Sequence, residues 1–124
     1  AKADEKIKAI DPTPAGETAT FIRKTLRSGM RVVSDGHVVV FGDVNPGAEI
    51  IAAGSIIIWG KLRGVVHAGV RGDETATVCA LEMEPTQMRI ANYSETFKAK
   101  KGKAQPEVAS VQDNGIIAQF WLSK

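Results

Sequence analysis

Apolar residues in the middle of the chain come in short bursts set off by glycine: Arg31-Val32-Val33, His37 to Phe41, Glu49-Ile50-Ile51 and Ser55 to Trp59. Each burst is rich in β-branched residues and breaks off too soon for an amphipathic helix with a 3.6-residue period. Nine of the twelve glycines lie between Gly29 and Gly72, and an interior glycine costs a helix about 1 kcal/mol against alanine. The pattern predicts short strands joined by turns.

The bursts are copies of one another. Ser28-Gly29-Met30-Arg31-Val32-Val33-Ser34-Asp35-Gly36-His37-Val38-Val39-Val40-Phe41-Gly42 recurs eighteen residues later as Pro46-Gly47-Ala48-Glu49-Ile50-Ile51-Ala52-Ala53-Gly54-Ser55-Ile56-Ile57-Ile58-Trp59-Gly60. Gly29, Gly36 and Gly42 fall on Gly47, Gly54 and Gly60 without a gap, and a copy one residue shorter starts at Arg63-Gly64. A period of this size, with turn glycines dividing short strands, is that of a solenoid whose coils share one core. About three short sides per coil predict an all-β, three-sided parallel β-helix. The hexapeptide solenoid of acyltransferases competes, but it needs a steady six-residue step, and the glycine intervals from Gly36 to Gly60 are 6, 5, 7 and 6.

Alternation along each strand assigns its faces. His37 and Ser55 are equivalent and polar, so they point outward together with Val39, Phe41, Ile57 and Trp59, while Val38, Val40, Ile56 and Ile58 fill the core. The outward set is an apolar patch stacked across two coils, and such a patch marks a surface for self-association or a partner. Arg31 and Glu49 should also face outward, over Val32 and Ile50. Glu74 to Ile90 supplies a further coil, with strands at Thr77 to Leu81 and Gln87 to Ile90. Asn92 to Gln105 reads as a mobile loop, and Ile116 to Leu122 as a last strand after the turn residues Asp113-Asn114-Gly115.

Length and composition add limits. The 124 residues suit one domain, with residues 1–21 as a flexible tether and the β-helix over 22–124. The chain begins with Ala1, which suggests a processed product or an excised piece. A formal charge of +2 and one dense basic run, Lys98, Lys100, Lys101 and Lys103, read as a solvated loop rather than a nucleic-acid site. Cys79 is the single cysteine, so an internal disulfide and a paired-cysteine metal site are excluded, and a reducing, cytoplasmic setting fits. Its neighbours Val78 and Ala80 suggest a small core residue.

No catalytic arrangement emerges. His37 and His67 are thirty residues apart, each in a strand-like setting that suits a structural role. A nucleophile elbow is absent, the glycine-rich Gly64 to Gly69 lacks the Lys-Ser/Thr ending of a phosphate loop, and no cofactor is called for. A solenoid acyltransferase, with His37 or His67 at an intersubunit cleft, and a self-polymerising structural solenoid remain as alternatives to a binding domain.

The run Thr25-Leu26-Arg27-Ser28-Gly29-Met30, with Pro46 to Ala52, Trp59-Gly60-Lys61-Leu62-Arg63-Gly64, Ala68-Gly69 and Arg71-Gly72-Asp73, resembles the C-terminal domain family of the bacterial division-site inhibitor MinC over residues 22 to 124. The resemblance implies a right-handed three-sided β-helix that homodimerises through one face and binds the ATP-bound form of MinD, which carries it to the inner membrane face. It also implies that the full protein acts against assembly of the division protein FtsZ, with residues 1–21 as the tether to an N-terminal domain. The family's MinD-contact motif is Arg-Ser-Gly-Gln. Arg27, Ser28 and Gly29 match it, and Met30 stands where the family has Gln.

Overall fold

A computed structural model describes residues 17–97 and 102–123. Among these residues eleven strands form two sheets: β1 (Ala19–Ile22), β3 (His37–Val40), β5 (Ile56–Leu62), β7 (Val78–Met83), β10 (Glu107–Gln112) and β11 (Gly115–Phe120) in one, and β2 (Arg31–Ser34), β4 (Glu49–Ala52), β6 (Val65–Ala68), β8 (Gln87–Ile90) and β9 (Tyr93–Glu95) in the other. A short 3-10 turn, Trp121–Ser123, follows β11. The first four strands of each sheet pair in parallel with the strand one coil away. A third side is reduced to single parallel bridges, Leu26 to Val44 and Val44 to Leu62, and continues through the pairing of Leu62 with Met83. The protein is therefore the three-sided parallel solenoid that the repeat predicts.

Stacking in register turns the sequence repeat into columns of like side chains. Val38, Ile56 and Val78 form one inward column, Val40, Ile58 and Ala80 a second, and Ile50, Val66 and Met88 a third, all buried. Leu26, Val44, Leu62 and Met83 close the core from the third side. The expected parity holds, with Val32 half-buried and Arg31 outward, its guanidinium 2.9 Å from Glu49.

At the corners, side chains replace backbone partners where the ladders break. His37 Nδ1 accepts the Ser55 N–H at 2.8 Å, while its Nε2 is 2.8 Å from Glu17 Oε1. One coil on, Ser55 Oγ accepts the Thr77 N–H at 3.0 Å. Along the neighbouring edge, Asp43 Oδ1 accepts the Lys61 N–H at 2.8 Å. An N–H left unpaired where water is partly excluded is costly, so His37 and Ser55 are part of the folding code of the corners. The stacked imidazole also explains Gly54, because a Cβ there would run into the His37 ring.

Several boundaries differ from the expectations. The first strand starts at Ala19 and pairs with β3, so Ala19 to Phe21 join the sheet although they read as tether; residues 1–16 lie outside the described part. The first coils repeat at eighteen, but Glu49 pairs with Val65, sixteen residues on, so the third coil is two residues shorter than the first rather than one. The tight Arg63-Gly64 corner is the reason: Gly64 sits against the Ala48 and Asn45 carbonyls, where any Cβ would collide. Val65 then pairs with Gln87, twenty-two residues on, because the turn Gly69 to Thr77 is enlarged. That turn is fastened by Arg71 to Asp35 at 2.7 Å, and the Thr75 hydroxyl and N–H bonds to Asp73 hold that carboxyl below its usual range.

Cys79 is corrected. Its inward neighbours are Val78 and Ala80, and it stands half-buried on the outer face, paired with Ile57. The segment expected to be a mobile loop contains β9, which folds back antiparallel on β8 through Ala91 at φ 53. Lys98, Lys100 and Lys101 lie outside the described residues. The last strand has a partner: β10 and β11 form an antiparallel hairpin whose two turn residues, Asp113 and Asn114, both have positive φ, 50 and 61. This is the backbone that a two-residue hairpin requires. The hairpin adds to β7 antiparallel, and Ile116 and Ala109 pack on the core.

Because Ile56 is fully buried between Val38 and Val78, Ile56→Ala should lower stability by about 2 to 5 kcal/mol. Urea unfolding followed by circular dichroism measures it; a loss no larger than that of Val33→Ala, at an exposed position, would contradict the stacked core.

Candidate protein-binding surfaces

Two exposed features stand apart from the core. The first is the turn Arg27-Ser28-Gly29-Met30, closed by a hydrogen bond from the Met30 N–H to the Arg27 carbonyl at 2.9 Å. Gly29 has φ 89, the left-handed value that the third residue of a type II turn needs. One coil on, Asn45-Pro46-Gly47-Ala48 repeats the turn, with Gly47 at φ 88 and a 3.0 Å bond from the Ala48 N–H to the Asn45 carbonyl. The Gly29 N–H bonds the Gly47 carbonyl at 3.0 Å, so the two turns stack.

Arg27, Ser28 and Gly29 are all exposed. Met30 is not presented in the same way: it is half-buried, packs against the core, and its sulfur accepts the Arg27 N–H at 3.1 Å. The thioether thus supports the turn from beneath, and the outward chemistry of the turn is a guanidinium, a hydroxyl and bare backbone. No Cβ contact would arise at Gly29, whereas one at Gly47 would strike Ser28.

The second feature is the outer face of the six-stranded sheet. Pairing lines up Phe21, Val39, Ile57, Cys79 and Val108 across five strands. Beside them, Phe41 stacks on Trp59 at 6.4 Å and 12°, and tilts against Phe21 at 6.2 Å. Phe21, Phe41 and Trp59 are 55%, 54% and 56% exposed, Ile57 is exposed and Val39 half-buried. Ring pairs at these separations are favourable. Next to it, Ile57, Trp59, Leu81, Pro106, Val108 and Trp121 line an apolar groove of about 290 Å³.

All four patch residues expected from the sequence, Val39, Phe41, Ile57 and Trp59, therefore share one face. The sequence reading missed Phe21, Leu81, Val108 and Trp121. Phe21 was legible, being eighteen residues before Val39; Val108 and Trp121 were not, because they arrive outside the repeat, on the antiparallel strand β10 and on the 3-10 turn after β11. Among the described residues no cluster of histidine, cysteine, aspartate or glutamate could hold a metal ion.

The match to known proteins settles the family. The description "Septum formation inhibitor MinC, C-terminal domain" covers residues 20–121. The chain belongs to this family. A probable septum site-determining protein MinC of Sulfurihydrogenibium sp. is 49% identical over 102 residues, 77% of this chain and 50% of that protein. Its counterpart in Persephonella marina is 46% identical over 116 residues, 93% of this chain and 58% of that protein. The chain thus spans about half the length of these curated MinC relatives. Among solved structures, a chain of the MinC:MinD cell division protein complex of Aquifex aeolicus superimposes with a TM-score of 0.79 at 37% identity, covering 83% of this chain and 86% of that one.

The stacked turns make a specific expectation. Gly29→Ala should cost about 1 to 2 kcal/mol from the left-handed backbone alone, and Gly47→Ala should cost more, since it also displaces Ser28. Paired thermal melts check this, and equal losses would argue against contact between the turns.

Proposed function

We propose that this chain is the dimeric, MinD-binding half of a septation inhibitor, acting by association rather than by chemistry. The observation that carries the reading is the exposed Arg27-Ser28-Gly29 turn on a MinC-family solenoid, together with its likeness to a chain of a MinC:MinD complex. Arg27 offers a permanent charge and a planar fork of donors, Ser28 a small hydroxyl, and Gly29 an approach to bare backbone. MinD in its ATP-bound form would bring the domain to the inner membrane face. Tethered there to an N-terminal domain, it would act against FtsZ assembly away from midcell.

The aromatic ladder supports homodimerisation. Burying side chains such as Ile57 and Trp59 is worth about 1.5 to 3 kcal/mol each, and a two-fold axis across the face would double every contact. A two-fold dimer would also present two Arg27 turns, so that each copy could hold a separate MinD. The half-buried Met30 supports a narrower point: this chain binds without the side-chain amide of the family motif, through Arg27, Ser28 and backbone.

Two experiments test the two surfaces separately. Ile57→Glu puts a charge at the centre of the apolar row and should yield a folded monomer in sedimentation; an unchanged dimer would place the interface elsewhere. Arg27→Ala should abolish ATP-dependent co-sedimentation with MinD on lipid vesicles while the dimer and the thermal melt stay as in the parent. Retained co-sedimentation would remove the turn from the binding site.

A further inference from the structure

On the third side of the solenoid, two outward columns run parallel to the axis, one on each flank of the buried Leu26, Val44, Leu62 and Met83. The first column is Thr25, Asp43, Lys61 and Glu82, and it is closed on itself. Thr25 Oγ1 accepts the Asp43 N–H at 3.4 Å, Asp43 Oδ1 accepts the Lys61 N–H, and Lys61 Nζ is 3.9 Å from Glu82 Oε2. The second column is Arg27, Asn45, Arg63 and Glu84, fixed in register by bonds from the Asn45, Arg63 and Glu84 N–H groups to the Leu26, Val44 and Leu62 carbonyls at 2.9, 2.8 and 2.9 Å. It is open. Arg27 and Arg63 are exposed, and among the described residues neither guanidinium has an ion-pair or hydrogen-bond partner.

A solvated arginine alone says little. Two of them on one column, each two coils from the other and beside a column whose charges are already spoken for, define a spacing. Neighbouring strands lie about 4.8 Å apart, so the two positions are about 10 Å apart along the axis. The backbone at both is rigid, held by the Arg27 turn on one side and by the tight Gly64 corner on the other. Half-buried Asn45 stands between them, able to donate and accept.

We propose that Arg63 is a second anchor for the protein that engages the Arg27-Ser28-Gly29 turn, and that this partner presents an acidic surface with two carboxylates spaced to meet Arg27 and Arg63 together. The inference rests on the reading of the turn as the MinD site. It makes the binding surface a strip along the solenoid, two coils long, rather than a single corner. A guanidinium at each end of the strip also sets the rotational register of the complex, because a bidentate pair with a carboxylate fixes direction as well as distance.

The test is the affinity of the full chain for ATP-bound MinD, measured by surface-immobilised titration at low and high salt, for the parent, Arg27→Ala, Arg63→Ala, Arg63→Lys and, as the neighbouring-column control, Lys61→Ala. Arg63→Ala should weaken binding by about tenfold or more and flatten the salt dependence. Arg63→Lys, which keeps the charge and loses the fork, should recover only part of the loss, and Lys61→Ala should bind as the parent does. Thermal melts accompany each variant, and Arg63→Lys keeps the result interpretable if Arg63→Ala alone lowers the melt. Parent-like binding by Arg63→Ala alongside loss in Arg27→Ala would overturn the second anchor and leave the turn reading intact. Loss in Arg63→Ala with parent-like binding by Arg27→Ala would support the anchor and remove the turn. Parent-like binding by both would overturn the anchor and the turn together.

Discussion

Everything in this protein depends on parallel strands stacking in register. A parallel coil can hydrogen-bond to the next only if both trace the same outline, so a side chain in one coil meets the same position of the next. Val38 meets Ile56, which meets Val78, and Leu26 meets Val44, which meets Leu62. Among the described residues no α-helix covers the core and no disulfide ties it; the antiparallel hairpin adds Ala109 and Ile116 at its end. The same constraint arranges the outside. It lines up Phe41 with Trp59 and Arg27 with Arg63.

Three outer surfaces divide the work. The five-stranded sheet carries mixed side chains, including the Arg31 to Glu49 pair, and suits solvent. The six-stranded sheet is aromatic and aliphatic, and carries the groove beside Trp59. The third side has too little sheet to be smooth, and its turns bring backbone and guanidinium groups to the surface. Separation of this kind would let the proposed apolar self-association surface and the proposed polar partner surface coexist in one small domain, because neither has to compromise the other's desolvation.

Much of this was legible in the residues. The eighteen-residue copy fixes the two central coils, and parity within them places Val38, Val40, Ile56 and Ile58 inside and Phe41 and Trp59 outside, as observed. Where the period breaks, sequence pattern loses its hold. Cys79 looked inward because its neighbours are small and apolar, but parity depends on where β7 starts, and the enlarged Gly69 to Thr77 turn had hidden that. The strands β9, β10 and β11 pair antiparallel, outside any repeat, so the way they close the end of the solenoid could not be read from the copy. At the turn, Arg27, Ser28 and Gly29 were legible as a motif, whereas the inward posture of Met30 follows from packing that only the fold supplies.

The glycine at position 54 has a wider consequence. It is glycine because the His37 ring of the preceding coil occupies the space its side chain would need. Position 36, its equivalent one coil earlier, is also glycine, but there the obstacle is the Thr18 carbonyl. The same letter is thus enforced by a different neighbour each time, so a coil carries an imprint of the one before it. Lengthening the rod by inserting a verbatim duplicate of one coil would therefore create a new junction with no history of accommodation. The copy would have to be edited at its corners before it could stack, and the direction of that editing would run from the first coil toward the last.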